Sequence, residues 1–121
     1  MGLLTAEQLT RPLPRRFERV ELPEFGEDAH VFVKGFTARE KGRFETSLQN
    51  KKGNRDKARV QEVRERLLVA TVCDEDGTLI MSADDVSELG NQDSGVVSRL
   101  FDVAMRLCGM SDDDVEELAG N

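Results

Sequence analysis

The spacing of apolar and polar positions changes character at Thr37. Before it, the stretch FERVELPEF alternates Phe17, Arg19 and Glu21 with Glu18, Val20 and Leu22 until Pro23 interrupts. In AHVFVKGF, Val31 and Val33 share one side while His30, Phe32 and Lys34 share the other. A period of two is that of a strand, and Gly26-Glu27-Asp28 lies in the connection, so the two segments are predicted to form a β-hairpin. A lone hairpin is unstable in water, and the rest of the chain has to supply the surface that covers it.

After Thr37 the apolar residues recur every three or four positions, the period of a helix. Thr37-Ala38-Arg39-Glu40 has the hydroxyl and carboxylate spacing that satisfies the free amides of a helix start, and Phe44 and Leu48 give that helix a narrow stripe. It is predicted to end near Asn50, since NKKGNRD holds no apolar residue to bury. A second helix is expected from about Asp56, with Val60, Val63, Leu67 and Ala70 on its buried face, running into a turn at Asp76-Gly77. Ser82-Ala83-Asp84-Asp85 is another capping signature; the short helix after it carries Val86 and Leu89 and stops at Gly90. The strongest pattern is SGVVSRLFDVAMRLCG, where Val97, Leu100, Phe101, Ala104 and Cys108 form one stripe, widened by Met105 and Leu107. Asp93 or Ser94 caps its start and Gly109 its end. A last turn or two opens at Ser111, with Val115 and Leu118 facing inward.

Residues 1–16 mix leucine with proline and arginine, and Pro12 and Pro14 forbid regular structure around them, so this segment reads as a mobile arm whose apolar residues are free to dock elsewhere. Residues 17–118 then make a single globular domain, and 119–121 a frayed end. The fold class predicted is α+β, mainly α: a short N-terminal β-hairpin packed on four to five helices. At 121 residues the chain suffices for one modest core, which six Phe and no Tyr or Trp require to be built from aliphatic side chains.

VCDEDGTLIM tests whether the turn is a calcium site. Calcium needs a nearly full shell of oxygens, and an EF-hand loop supplies them from positions 1, 3, 5 and 12 around a glycine at position 6. With Gly77 at position 6, Asp74 and Asp76 fall on positions 3 and 5, but Val72 and Ala83 occupy 1 and 12. The first ligand and the closing carboxylate are both missing. What remains is a tight reversal at Asp76-Gly77 between an apolar segment and the β-prone run Thr78-Leu79-Ile80-Met81.

No other constellation points to catalysis or to a cofactor. The one histidine, His30, sits in a predicted strand with no nucleophile or acid placed beside it, and neither phosphate-cradling glycine motif occurs. Cys73 and Cys108 read as two reduced, partly buried thiols. Asp112, Asp113, Asp114, Glu116 and Glu117 are acids at a helix start, where the dipole favours them; consecutive helical residues splay around the axis and do not converge on a metal. No apolar run is long enough to span a bilayer and no signal-peptide core follows the N-terminal arginines, so a cytoplasmic location is expected.

The net charge of −7 hides a separation. Residues 1–38 carry 5 basic and 6 acidic groups, residues 39–66 carry 10 and 5, and residues 67–121 carry 2 and 13, for net charges of −1, +5 and −11. The basic part of one copy can therefore meet the acidic part of the next, with Lys51, Lys52, Arg55, Lys57 and Arg59 on one side and the Asp112–Glu117 acids on the other. Such a contact joins unlike surfaces and builds rings or open spirals rather than closed dimers. If charge dominates, salt weakens the assembly; if apolar residues of the arm or hairpin dominate, it persists at high salt. The same basic run allows a rival reading, a small nucleic-acid-binding or regulatory protein, although it has no interleaved aromatics for base stacking and the acidic half repels phosphate.

The order of the signals, from the paired strands through T-A-R-E, V-C-D-E-D-G-T-L and S-A-D-D-V-S-E-L-G to V-V-S-R-L-F-D-V-A-M-R-L-C-G-M-S, resembles the tail assembly chaperones of long-tailed phages and prophages. The resemblance spans residues 17–118 and is clearest from Val69 to Ser111. It implies a non-enzymatic factor in the host cytoplasm that coats the long tape-measure protein and helps recruit tail-tube subunits. Members of the family are often also made in a longer, frameshifted form, and the finish at EELAGN would suit the short one. The resemblance transfers no binding residue individually.

Overall fold

The structure is a computed structural model that describes residues 2–54 and 56–118, the side chain of Leu118 excepted. Arg55 and the predicted frayed end at 119–121 lie outside the described residues, as does the inward placing of the Leu118 side chain. The expected hairpin forms from β1 (Phe17–Glu21) and β2 (His30–Lys34), antiparallel, with Val20 opposite Val31 and Phe17 opposite Lys34. Alternation puts Val20 and Val33 into the core with Val31 against it. Pro23 ends β1 in a single 3-10 turn, Pro23–Phe25, and the chain reverses through Gly26 and Asp28, both at positive φ.

The arm is not wholly irregular. Helix α1 (Ala6–Leu9) occupies one turn ahead of the prolines, capped by a reciprocal pair in which Thr5 Oγ1 accepts from Gln8 N and Gln8 Oε1 accepts from Thr5 N. Pro12 and Pro14 act only on their own neighbourhood, which is why the expectation of no regular structure fails at residues 6–9.

Helix α2 (Ala38–Thr46) opens with the predicted Thr37/Glu40 capping box. It ends before Leu48, which still turns inward and is 1% exposed. The single helix expected from Asp56 is two pieces, α3 (Lys57–Gln61) and α4 (Val63–Thr71), because Glu62 between them leaves helical geometry at φ −98°, ψ 20°. The break re-phases the buried face. Leu67, Leu68 and Thr71 are buried, with Thr71 Oγ1 donating to the Leu67 carbonyl at 2.8 Å, while Ala70 lies at the side.

Where the helix was expected to run into the turn, Val72 and Cys73 are extended instead. They form β3 (Val72–Cys73), antiparallel to β2 with Phe32 opposite Cys73 and Val33 opposite Val72. The free edge of β2 offers backbone partners that a further half-turn of helix could not use. The sheet thus has three strands in the order β1-β2-β3, and Leu79, from the β-prone run, bridges back to Cys73.

Ser82 caps a 3-10 turn (Ala83–Asp85) that continues into α5 (Val86–Leu89). Helix α6 (Ser94–Leu107) starts on Asp93, whose side chain accepts from Val96 N, and is followed by Gly109 at φ 68°. Its face of Val96, Val97, Leu100, Phe101, Ala104 and Met105 is buried between α4 and the inner face of the sheet. Each large side chain so covered contributes about 1.5–3 kcal/mol. Two ion pairs fix α6 along the first arm of the hairpin: Arg99 binds both oxygens of Glu24 in the 3-10 turn, and Arg106 reaches Glu18 of β1 at 2.9 Å. The Arg99 guanidinium holds the Glu24 carboxyl down to about 2. Being exposed, these pairs orient the helix more than they stabilise it. Helix α7 (Asp112–Leu118) begins on Ser111, and its Val115 packs against the core. No helix among the described residues is long and apolar enough to cross a membrane.

Gly35, just after β2, shows how closely α6 approaches the sheet. A Cβ at this position would lie 2.5 Å from the Leu107 carbonyl oxygen and 3.4 Å from Arg16 Cβ. Backbone cannot yield as a flexible side chain can, so Gly35→Ala is expected to cost about 1–3 kcal/mol in urea unfolding. Gly42, inside α2 with open space around it, is the control. Gly42→Ala should stabilise by about 0.5–1 kcal/mol.

Candidate interaction surfaces

The residues that drew attention as possible catalytic groups have structural partners. His30 Nδ1 lies 2.8 Å from the Asp28 carbonyl, and its ring meets Phe32 edge-on. Cys73 is buried; Cys108 is half-buried, and loss of water around it pushes its thiol up to about 11. Among the described residues no group of three or more His, Cys, Asp or Glu side chains could hold a metal ion.

The basic run divides into two kinds of residue. Arg59 is a strut: its Nη1 donates to the carbonyls of Ser47 and Gln49, both at 3.2 Å, and its Nε stands 4.0 Å from Asp56. Lys51 and Lys52 are exposed in the loop that Asn50 closes by accepting from the amides of Lys52 and Asn54. Lys57 is exposed on α3. The acidic set divides likewise. Asp114 caps α7 by accepting from Ser111 N at 2.8 Å, which lowers its pKa. Asp112, Asp113, Glu116 and Glu117 face solvent. Among the described residues no salt bridge joins the two sets within the chain. Each remains a separate charged surface.

Two apolar surfaces emerge only from the fold. On the outer face of the sheet Phe17 stacks on Phe32, ring centres 4.9 Å apart, and Phe17 remains 42% exposed. Between α2, α4 and α5 lies an open cleft of about 300 Å³. Its floor is Phe36, Phe44, Val69, Ala70, Leu79 and Val86; Lys34, Glu40, Arg43 and Arg66 edge it. The polar groups at the edge are mostly engaged: Lys34 Nζ donates to the Gly77 carbonyl, Arg15 binds Glu40 at 2.9 Å and Arg66 binds Glu62 at 3.0 Å. Arg43 has no salt-bridge partner among the described residues.

The sequence held one sign of this cleft. The run Leu67-Leu68-Val69-Ala70 is apolar on more of its circumference than a single buried stripe needs. Leu67 and Leu68 meet the core; Val69 and Ala70 are the surplus and line the cleft.

The Asp74–Thr78 reversal is a turn in detail. Gly77 N donates to the Asp74 carbonyl, Asp74 Oδ1 accepts from the amides of Asp76 at 2.8 Å and Thr78 at 3.0 Å, and Gly77 takes φ 83°. One oxygen of the Asp74 carboxylate, Oδ1, is thereby engaged by the chain's own amides. Millimolar calcium should leave the melting temperature unchanged, and a rise of several degrees would overturn the turn reading, since a ligand of the folded state must stabilise it. Asp74→Ala, which orphans both amides, is expected to cost about 1–2 kcal/mol in the same measurement.

Comparison with known proteins agrees with this architecture. Among solved structures, "Structure of bacteriophage HK97 tail assembly chaperone" superposes with a TM-score of 0.58 at 23% identity, over 88% of this chain and 95% of that one. At that identity the likeness concerns the fold. A comparison with curated proteins gives no match. Residues 13–120 match the sequence model of a family described as phage tail assembly chaperone. Since that match takes in every element from β1 to α7, the chain belongs to the phage tail assembly chaperone family, whose role is in the assembly of phage tails.

Proposed function

We propose that this chain coats and solubilises the tape-measure protein in the host cytoplasm during tail assembly and helps bring tail-tube subunits to it, the latter through a longer, frameshifted form. The observation that carries this reading is the family match over residues 13–120. The surface is in keeping with it. An elongated, apolar client needs a partner that offers apolar area without a deep pocket, and the open cleft beside α4 together with the Phe17–Phe32 face has that character. Co-expression is the direct assay: the soluble fraction of the tape-measure protein should rise severalfold with this chain present. A client that stays as insoluble as without it would remove the reading's main support.

Copies bound along such a client would be arranged head to tail, with Lys51, Lys52, Arg55 and Lys57 of one facing Asp112, Asp113, Glu116 and Glu117 of the next. Arg59 and Asp114, engaged within their own chain, belong to these two surfaces with less freedom to move. Exposed charges of this kind govern orientation and encounter rate more than final affinity. Reversing Lys51, Lys52 and Arg55 to Glu should therefore slow self-association by about tenfold or more at low salt, and salt should erase the difference from wild type. Equal rates at low salt would remove the charged loop from the contact. The urea midpoint should not change in either case, because charges as exposed as those of Lys51 and Lys52 add little to stability.

A further inference from the structure

We propose that copies of this chain are joined by arm exchange: the N-terminal arm of one copy lays its leucines into the cleft between α2 and α4 of the next. This concerns how copies hold each other and does not depend on which client they coat.

The arm is apolar where it has nothing to pack on. Leu3, Leu4, Leu9 and Leu13 are 94%, 57%, 72% and 88% exposed. Between them stands a one-turn helix closed at its start by the Thr5/Gln8 capping box and at its end by Thr10, whose N–H and hydroxyl both donate to the Ala6 carbonyl. A helix of four residues is too short to persist in water by itself. Its well-formed ends therefore call for a surface that holds it, and leucines on both sides of it specify an apolar one. The same molecule offers such a surface empty of its own arm: no described arm residue lines the cleft.

The stiffness of the segment that carries the arm favours the cleft of a second copy over the arm's own. The arm leaves the domain at Arg15, pinned to Glu40 on the cleft edge. The residues immediately before it are Arg11-Pro12-Leu13-Pro14. Proline fixes its own φ and biases the residue before it to extended geometry, so this segment is a short, stiff spacer that projects the helix away from its own domain. Six residue steps lead from Leu9 to Arg15, an extended reach of about 20 Å, enough to carry the helix to a neighbouring copy. Charge fits as well. The arm's one acid, Glu7, makes only a loose 3.9 Å contact with Arg11, whereas Arg43 on the cleft edge has no salt bridge among the described residues. The family match starts at residue 13, so the leucines at 3, 4 and 9 lie ahead of it and their role does not come with the family.

Because the arm and the cleft are different surfaces, the contact is heterologous and propagates. Sedimentation of the full chain should show species that grow with concentration and survive about 1 M salt, since the contact is apolar. Two variants separate its halves: Leu4→Glu/Leu9→Glu spoils the arm and leaves the cleft, while Ala70→Glu fills the cleft and leaves the arm. Each alone should be monomeric, with association at least about tenfold weaker than wild type. Mixed in equal amounts, they should give a discrete dimer and nothing larger, because the one good arm finds the one good cleft. If Ala70→Glu does not fold, Arg43→Glu, at the exposed edge, replaces it and should weaken assembly in the same direction. A wild-type monomer at tens of micromolar, an arm variant that assembles like wild type, or a mixture that stays monomeric as it would if the arm folded back on its own domain, each overturns the proposal. Solubility of the tape-measure protein is scored separately, so loss of client binding with arm exchange intact counts against the chaperone reading alone.

Discussion

The apolar face of α6 is shared by two elements, neither of which can bury itself. The hairpin of β1 and β2 has one aliphatic side, Val20, Val31 and Val33, too narrow to hold two strands together in water. Helix α4 has a run of leucines that needs a partner. Val97, Leu100, Phe101, Ala104 and Met105 cover both at once, and Ala104, fully buried, keeps the backbone of α6 close. That closeness leaves no room for a Cβ at Gly35, opposite the Leu107 carbonyl. The pairs Arg99–Glu24, to the turn after β1, and Arg106–Glu18, to β1 itself, then set where along the hairpin the helix rests.

Once that core is closed, the molecule has apolar surface left over. The outer face of the sheet keeps Phe17 and Phe32, the edge beyond β3 keeps Leu79 and Ile80 exposed, and the side of α4 away from α6 keeps Val69 and Ala70 over an open cleft. A chain with a core this modest could have buried these residues or replaced them with polar ones. Their retention, together with an arm carrying four exposed leucines, is the physical profile of a protein whose final packing takes place against other chains. Membership of a tail assembly family is in keeping with that profile.

Charge acts on a different scale. Among the described residues the basic loop and acidic α7 form no salt bridge with each other, and the groups that do engage, Arg59 of α3 holding the segment after α2 and Asp114 in the first turn of α7, serve local structure. What remains is a field with two signs, suited to orienting neighbours, over apolar surfaces suited to holding them.

The sequence by itself determined the local elements wherever a short-range rule was decisive: the two strands by their alternation, α2 by Thr37 and Glu40, α6 by its stripe between Asp93 and Gly109, and the turn by the Asp76-Gly77 dipeptide. The charge separation is likewise a property of residue order alone. Tertiary structure decided what depends on contacts distant in sequence. Val72 and Cys73 became a third strand because β2 had a free edge; α3 and α4 parted at Glu62 and turned Thr71 rather than Ala70 inward; Leu48 was buried outside the helix assigned to it. The cleft could not be read from periodicity, because its floor is drawn from Phe36, α2, α4, Leu79 and α5, which no single period relates. Only the surplus of apolar residues around α4 hinted that a second face existed, since a helical period tells which residues share a side but not what will cover it.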